Sequence, residues 1–108
     1  EATSVHWHGI RLANEADGVP GMTQDPIAPG DSFTYAFTPP DAGTYFFHSH
    51  SGLQLDRGLY APLIVEPARE QMSYDREDVL VLDDWLDGID GTPDDRLASL
   101  RRNGMPMD

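Results

Sequence analysis

Large aromatic and small positions alternate from Ser32 to Thr38: Phe33, Tyr35 and Phe37 fall on one face, Thr34, Ala36 and Thr38 on the other. A period of two is the mark of a strand with one buried face, so a strand is predicted there, closed by Pro39-Pro40. Thr3 to His8 alternates with β-branched and aromatic residues and stops at Gly9. Thr44 to Ser49, entered through Ala42-Gly43, and the apolar run Leu59 to Val65 predict two more strands. Pro62 interrupts the latter; lacking an N–H, it predicts an edge position or a bulge. Val79 to Leu82 is short but apolar enough for a buried strand. Asn14 to Gly30 carries Asp17-Gly18, Pro20-Gly21, Asp25-Pro26 and Pro29-Gly30, which predicts a long loop with several turns.

Beyond Trp85 the pattern changes to that of a short helix. Thr92 is a good N-cap, Pro93 fits the first helical position, and Asp94 and Asp95 suit the positive end of the helix dipole. Leu97 and Leu100 share a face, Arg101 and Arg102 suit the last turn, and Gly104 closes it. The pattern therefore predicts a sheet domain over residues 1–86 and an acidic linker with a short helix over 87–108.

With 108 residues there is room for one domain. The net charge of −12 argues against nucleic acid and anionic membranes as partners, since both repel an acidic surface. The acidic stretch from Glu66 to Asp95 reads as a solvated face, and Met22, Met72, Met105 and Met107 are too scattered to form a metal motif. No apolar run is long enough to span a membrane and no signal peptide is present. Because the sequence opens inside a predicted strand, its true start is expected upstream. The absence of cysteine excludes disulfides, thiolate nucleophiles, Cys-ligated zinc or iron–sulfur sites, and a blue mononuclear copper centre.

All four histidines fall into two His-x-His pairs, His6-Trp7-His8 and His48-Ser49-His50. In a strand, residues i and i+2 point to the same face about 6–7 Å apart. Each pair thus offers two imidazoles in one direction, and pairing the strands brings four together. A lone histidine is more often satisfied by hydrogen bonds in a protein interior; two such pairs point to metal binding. Neutral imidazole suits copper, zinc, iron and nickel, and spacing alone leaves a mononuclear zinc or iron site open.

The flanking residues narrow the choice. His6-Trp7-His8-Gly9-Ile10 resembles the first copper motif of the multicopper oxidases, the family that includes the laccases. His48-Ser49-His50 with Gln54 and Gly58-Leu59, running into Leu63-Ile64-Val65, is similar to their second motif. The loop residues Asp17-Gly18-Val19-Pro20, Gln24, Pro26-Ile27 and Pro29-Gly30 resemble the family's connection between the motifs. Gly43-Thr44-Tyr45-Phe46-Phe47 resembles the strand that leads into the second pair, and Leu82-Asp83-Asp84-Trp85 the end of the first domain. The likeness runs from Val5 to about Trp85. Ala61 stands where a glycine is common and Asp25 where some fungal members carry cysteine; neither is a ligand position.

The resemblance implies an all-β, cupredoxin-like Greek-key β-sandwich, incomplete because its N-terminal strands would precede His6. It would be the first domain of a two- or three-domain oxidase. Such enzymes draw electrons from a small donor at a blue type 1 copper and pass them to a three-copper cluster, where O2 becomes water. That cluster takes eight histidines, half from the first domain and half from the last. By the same resemblance His6 would ligate the type 2 copper, His8 and His48 one type 3 copper, and His50 the other. The type 1 copper, with its cysteine, would lie outside this chain. A copper nitrite reductase would carry cysteine directly after a histidine of the second motif, where Ser49 stands here.

Asp17 lies where the family keeps an acid near the type 2 copper and is a candidate proton relay; the plainer reading is an Asp-Gly turn. Gln54 is a candidate acceptor for a ligand N–H, Phe46 is placed on the ligand face, and Trp7 and Ser49 on the opposite one. Partners implied are O2, a small electron donor, and the remaining histidines from the rest of the chain or a neighbouring subunit. A periplasmic or secreted location is implied as well. The isolated chain is expected to bind copper weakly and to be inactive. Against this stand a copper-storage module without turnover, which would bind tightly by itself, and a mononuclear zinc or iron enzyme using the same pairs.

Overall fold

A computed structural model describes residues 1–105; Met107 and the end of the 87–108 segment lie outside them. Its centre is a three-stranded antiparallel sheet in the order β1 (His6–His8), β2 (Gly43–His48), β3 (Tyr60–Val65). His6 pairs with His48, Trp7 with Phe47 and His8 with Phe46. On the other side of β2 the register runs from Gly43 opposite Val65 to His48 opposite Tyr60. β1 ends at Gly9, as its left-handed φ of 85° requires.

Pro62 sits in β3, which has a neighbour on one side only. The Ser49 N–H donates to the Leu59 carbonyl at 3.0 Å. Ladder bonds alternate from there, so the nitrogen of Pro62, opposite Phe46, faces away from β2. The edge position is what the proline needs, and the register shows no bulge.

Two predicted strands do not form. Ser32–Thr38 and Val79–Leu82 have no ladder partner among the described residues. An alternating pattern fixes which side chains face inward, but a strand also needs a second backbone to bond. The face of Ser32–Thr38 was nonetheless legible. Tyr35 and Phe37 pack edge-on against Trp7, at 5.5 and 5.1 Å between ring centroids, and Phe47 closes the group at 5.5 Å. This cluster covers the sheet face opposite the histidines. Val79–Leu82 instead leaves Leu80 and Leu82 at 85% and 94% exposure.

The predicted long loop holds one 3-10 turn, Asn14–Ala16, and bonds Thr3 to Ile27 in both directions, at 3.0 and 2.8 Å. The strand expected over Thr3–His8 is thus laddered to β2 only from His6, with Thr3 tied to the loop instead. The helix α1 (Pro93–Asn103) has the caps its sequence predicts. Thr92 accepts from the Asp95 N–H, the Asp95 carboxylate accepts from the Thr92 N–H, and Gly104 ends the helix. Asp94 pairs with Arg57, which joins the start of α1 to the 3-10 turn Leu55–Arg57.

Candidate metal centre

Antiparallel pairing of β1 with β2 places His6 directly across from His48, and the pleat puts His8 on the same face as His6. The His6 ring is the hub. Its centroid lies 5.5 Å from His8, 5.2 Å from His48 and 5.5 Å from His50. One ligand atom each of His6, His8 and His48 falls within 4.8 Å of the others. His50 lies outside that tight group, its ring parallel to His48 at 6.2 Å. The second pair is therefore not wholly on a strand: β2 ends at His48, and His50 reaches the group from the turn beyond.

Backbone carbonyls set the orientation of two rings. A carbonyl only accepts, so the ring nitrogen facing it carries the proton. His6 Nδ1 donates to the Asp17 carbonyl at 2.7 Å, and His48 Nδ1 to the Ser49 carbonyl at 2.8 Å. Both rings, when neutral, keep an unprotonated Nε2 for a metal. His48 Nε2 stands 3.2 Å from His8 Nδ1. Two nitrogens each 2.0–2.1 Å from one tetrahedral ion are about 3.3 Å apart, so this spacing suits a shared ion. Partial desolvation, then the neighbouring His48 and His6, lower the pKa of His8 below 6.5, which favours the neutral, ligating form.

The loop reaches His6 because of Gly18. Its φ is 75°, and a Cβ there would lie 1.8 Å from the Val5 oxygen. Only glycine permits the loop to press on the backbone before β1, which brings Asp17 to His6. The Asp17 carboxylate stands farther from His6 Nδ1, at 3.3 Å, and is 41% exposed. Phe46 lies on the ligand face as predicted, stacked on His8 at 4.4 Å and on His48 at 5.3 Å.

Gln54 does not accept from a histidine, contrary to expectation. Its buried side chain accepts from the Thr3 and Ser49 hydroxyls at 2.7 and 2.6 Å and donates to the Ala2 carbonyl at 2.9 Å. Thr3 and Ala2 lie about fifty positions away in the chain, and only the fold makes them its neighbours. Sequence reasoning also missed the carbonyls of Asp17 and Ser49, because a main-chain acceptor has no residue identity to read.

The donor set is therefore imidazole nitrogen with a nearby carboxylate and no thiolate, a set that fits copper or zinc. His8 and His50 are exposed, so further ligands have room to approach.

A family model for multicopper oxidases matches residues 1–70. The chain is 47% identical over 106 residues to the multicopper oxidase MmcO of Mycobacterium tuberculosis, covering 98% of this chain and 21% of that protein. It is 48% identical over 88 residues to copper resistance protein A of Escherichia coli, covering 81% and 14%. The crystal structure of the laccase from Botrytis aclada superposes with a TM-score of 0.59 at 54% identity, over 61% of this chain and 13% of that one. The chain thus spans about a fifth or less of the length of these relatives. Its sheet has the cupredoxin-like fold of these oxidases, with one short α-helix and no closed barrel among the described residues.

Proposed function

The chain belongs to the multicopper oxidase family, and from that membership we propose that His6, His8, His48 and His50 supply half the imidazoles of a trinuclear copper cluster. Bound copper supplies one-electron redox steps, which four times over reduce O2 to water. The observation that carries the reading is the convergence of both His-x-His pairs on one pocket, with His6 within 5.5 Å of the other three rings.

The division of labour follows the family's pattern. His8 and His48 hold one type 3 copper, which their facing nitrogens support. His50 serves the second type 3 copper and His6 the type 2 copper, with the Asp17 carbonyl fixing the His6 ring. The Asp17 carboxylate, partly open to solvent beside that ring, is placed to relay protons as oxygen is reduced. Phe46 covers the His8 and His48 rings and keeps water from that side.

Four imidazoles leave three ions under-coordinated, so the remaining histidines come from a C-terminal domain of the same polypeptide or from a neighbouring subunit. On this reading residues 1–86 are part of the oxidase's first domain and 87–108 a linker toward the next. The reducing substrate is a small electron donor that acts at a type 1 copper in another domain, and the protein works outside the cytoplasm. Among the described residues no helix is long and apolar enough to cross a membrane.

The tight group of His6, His8 and His48, with His50 beside it, favours one second reading: a single ion on three histidines. Metal content separates the two. In the full-length protein containing these residues, the cluster reading predicts several coppers per polypeptide, of which those of the cluster depend on this domain. It also predicts that His50→Ala lowers O2 consumption more than about 100-fold, since loss of an outer partner of a ligand already costs 10- to 100-fold. A single metal per chain, with His50→Ala fully active, would favour the mononuclear site.

A further inference from the structure

We infer that Gln54 is the positioning residue that fixes His50, and with it the second histidine pair, against the first; this rests on the copper reading above. The strand ladder cannot do it. β1 and β2 are paired only up to His6 opposite His48, and His50 follows the end of β2. Nothing in the pleat determines where its ring points.

The Gln54 carboxamide stands in for the missing ladder. Its Oε1 accepts from the Ser49 hydroxyl at 2.6 Å, and Ser49 is the residue between His48 and His50. The same oxygen accepts from the Thr3 hydroxyl at 2.7 Å, three residues ahead of His6, while Nε2 donates to the Ala2 carbonyl at 2.9 Å. Ser49 Oγ in turn accepts from the Ser51 N–H at 3.1 Å, which braces the turn after His50. Alongside, the His50 N–H reaches the Oγ of fully buried Ser4 at 3.4 Å. Ser49 and Gln54 are themselves only 6% and 8% exposed. A buried amide with both of its ends paired holds a unique geometry, because any shift leaves an unsatisfied polar group. The connection runs to the lead-in of β1 and to the residue between two ligands, so its loss is felt as a change in ring position.

The test uses the full-length protein containing these residues, with copper per polypeptide, the Cu(II) electron paramagnetic resonance spectrum and the melting temperature as readouts. Gln54→Ala is expected to lower copper content at least twofold and to alter the spectrum. Gln54→Glu keeps the acceptor for Thr3 and Ser49 but sets a second acceptor against the Ala2 carbonyl and adds a buried charge, so it is expected to recover only part of the lost copper. Leu63→Ala is the control: Leu63 lies on β3 opposite Tyr45, on the sheet face away from the histidines. It is expected to lower the melting temperature and leave copper and spectrum unchanged. The inference is overturned if both Gln54 variants keep wild-type copper and spectrum. Equal copper loss in Leu63→Ala also overturns it. If Gln54→Ala yields no folded protein, Gln54→Glu against Leu63→Ala decides by the same spectrum. Should His50→Ala itself leave copper untouched, the copper reading fails first, separately from the role of Gln54.

Discussion

At the scale of single residues, the chemistry depends on which nitrogen of each ring is free, and main-chain carbonyls decide that for His6 and His48. His8 has no such carbonyl; its Nδ1 faces His48 instead. With its pKa lowered, folded His8 resists a proton that the unfolded chain accepts near 6.5. Its contribution to stability is thus full above 6.5 and declines as pH falls from there to its depressed folded value. Nuclear magnetic resonance titration of the metal-free chain should show His8 titrating below 6.5, and His8→Gln should flatten the pH dependence of unfolding in that window. Titration at or above 6.5 would contradict the packed-ring account. Gly18 is the other residue on which the site turns. Gly18→Ala meets the Val5 carbonyl and a positive φ, so it should cost more than about 1 kcal/mol in urea unfolding and weaken copper binding. An unchanged midpoint would show that the loop does not press on the backbone there. The four histidines proposed as ligands were legible because two His-x-His pairs are a local pattern. The carbonyl of Asp17, the clearance at Gly18 and the Gln54 linkage were not, because each exists only once distant segments meet.

Among the elements, legibility follows the range of the forces. α1 was readable end to end, since its cap, first proline and closing glycine act within a few residues. Thr92→Ala should remove about 1 kcal/mol of helix stability, visible as lost ellipticity. Hydrogen bonds from the Thr92 hydroxyl and then its N–H lower the pKa of Asp95 below 3.8. The capping contribution is therefore intact above 3.8 and lost as pH falls through the depressed value. Thr92→Ala removes the hydroxyl donor and keeps the N–H, so it should move that acid transition up toward 3.8; an unmoved transition would place it elsewhere. Strands were harder. β2 and β3 form one continuous register because each supplies the other's hydrogen bonds. Ser32–Thr38 has an equally good pattern and no backbone partner, so it serves as an aromatic flap on Trp7. Phe37→Ala should open the far face of the sheet and disturb β1. Copper binding would then fall along with stability, whereas unaltered stability would contradict the flap's role.

Over the whole molecule, the radius of gyration of 17.3 Å exceeds the roughly 13 Å of a compact chain of this length. Buried apolar side chains among the described residues are few, Ile10 and Ala16, while Val79–Leu82, Trp85 and Ile64 are open. A sheet with so much apolar surface uncovered needs another layer to pack against. The 108-residue chain by itself should therefore bind a hydrophobic dye and self-associate in sedimentation; a monomer that ignores the dye would contradict this. The same openness on the histidine side, where His8 and His50 face solvent, leaves room for the further ligands that the proposed cluster needs. The measurement that bears most directly on this account is copper per full-length polypeptide in three variants. They are His6→Ala with His8→Ala, His48→Ala with His50→Ala, and all four together. If the pairs build one pocket, each double variant loses the same ions, and the quadruple variant loses no more than either. Losses that add, or a double variant with its full copper content, would mean that the two pairs do not share a site.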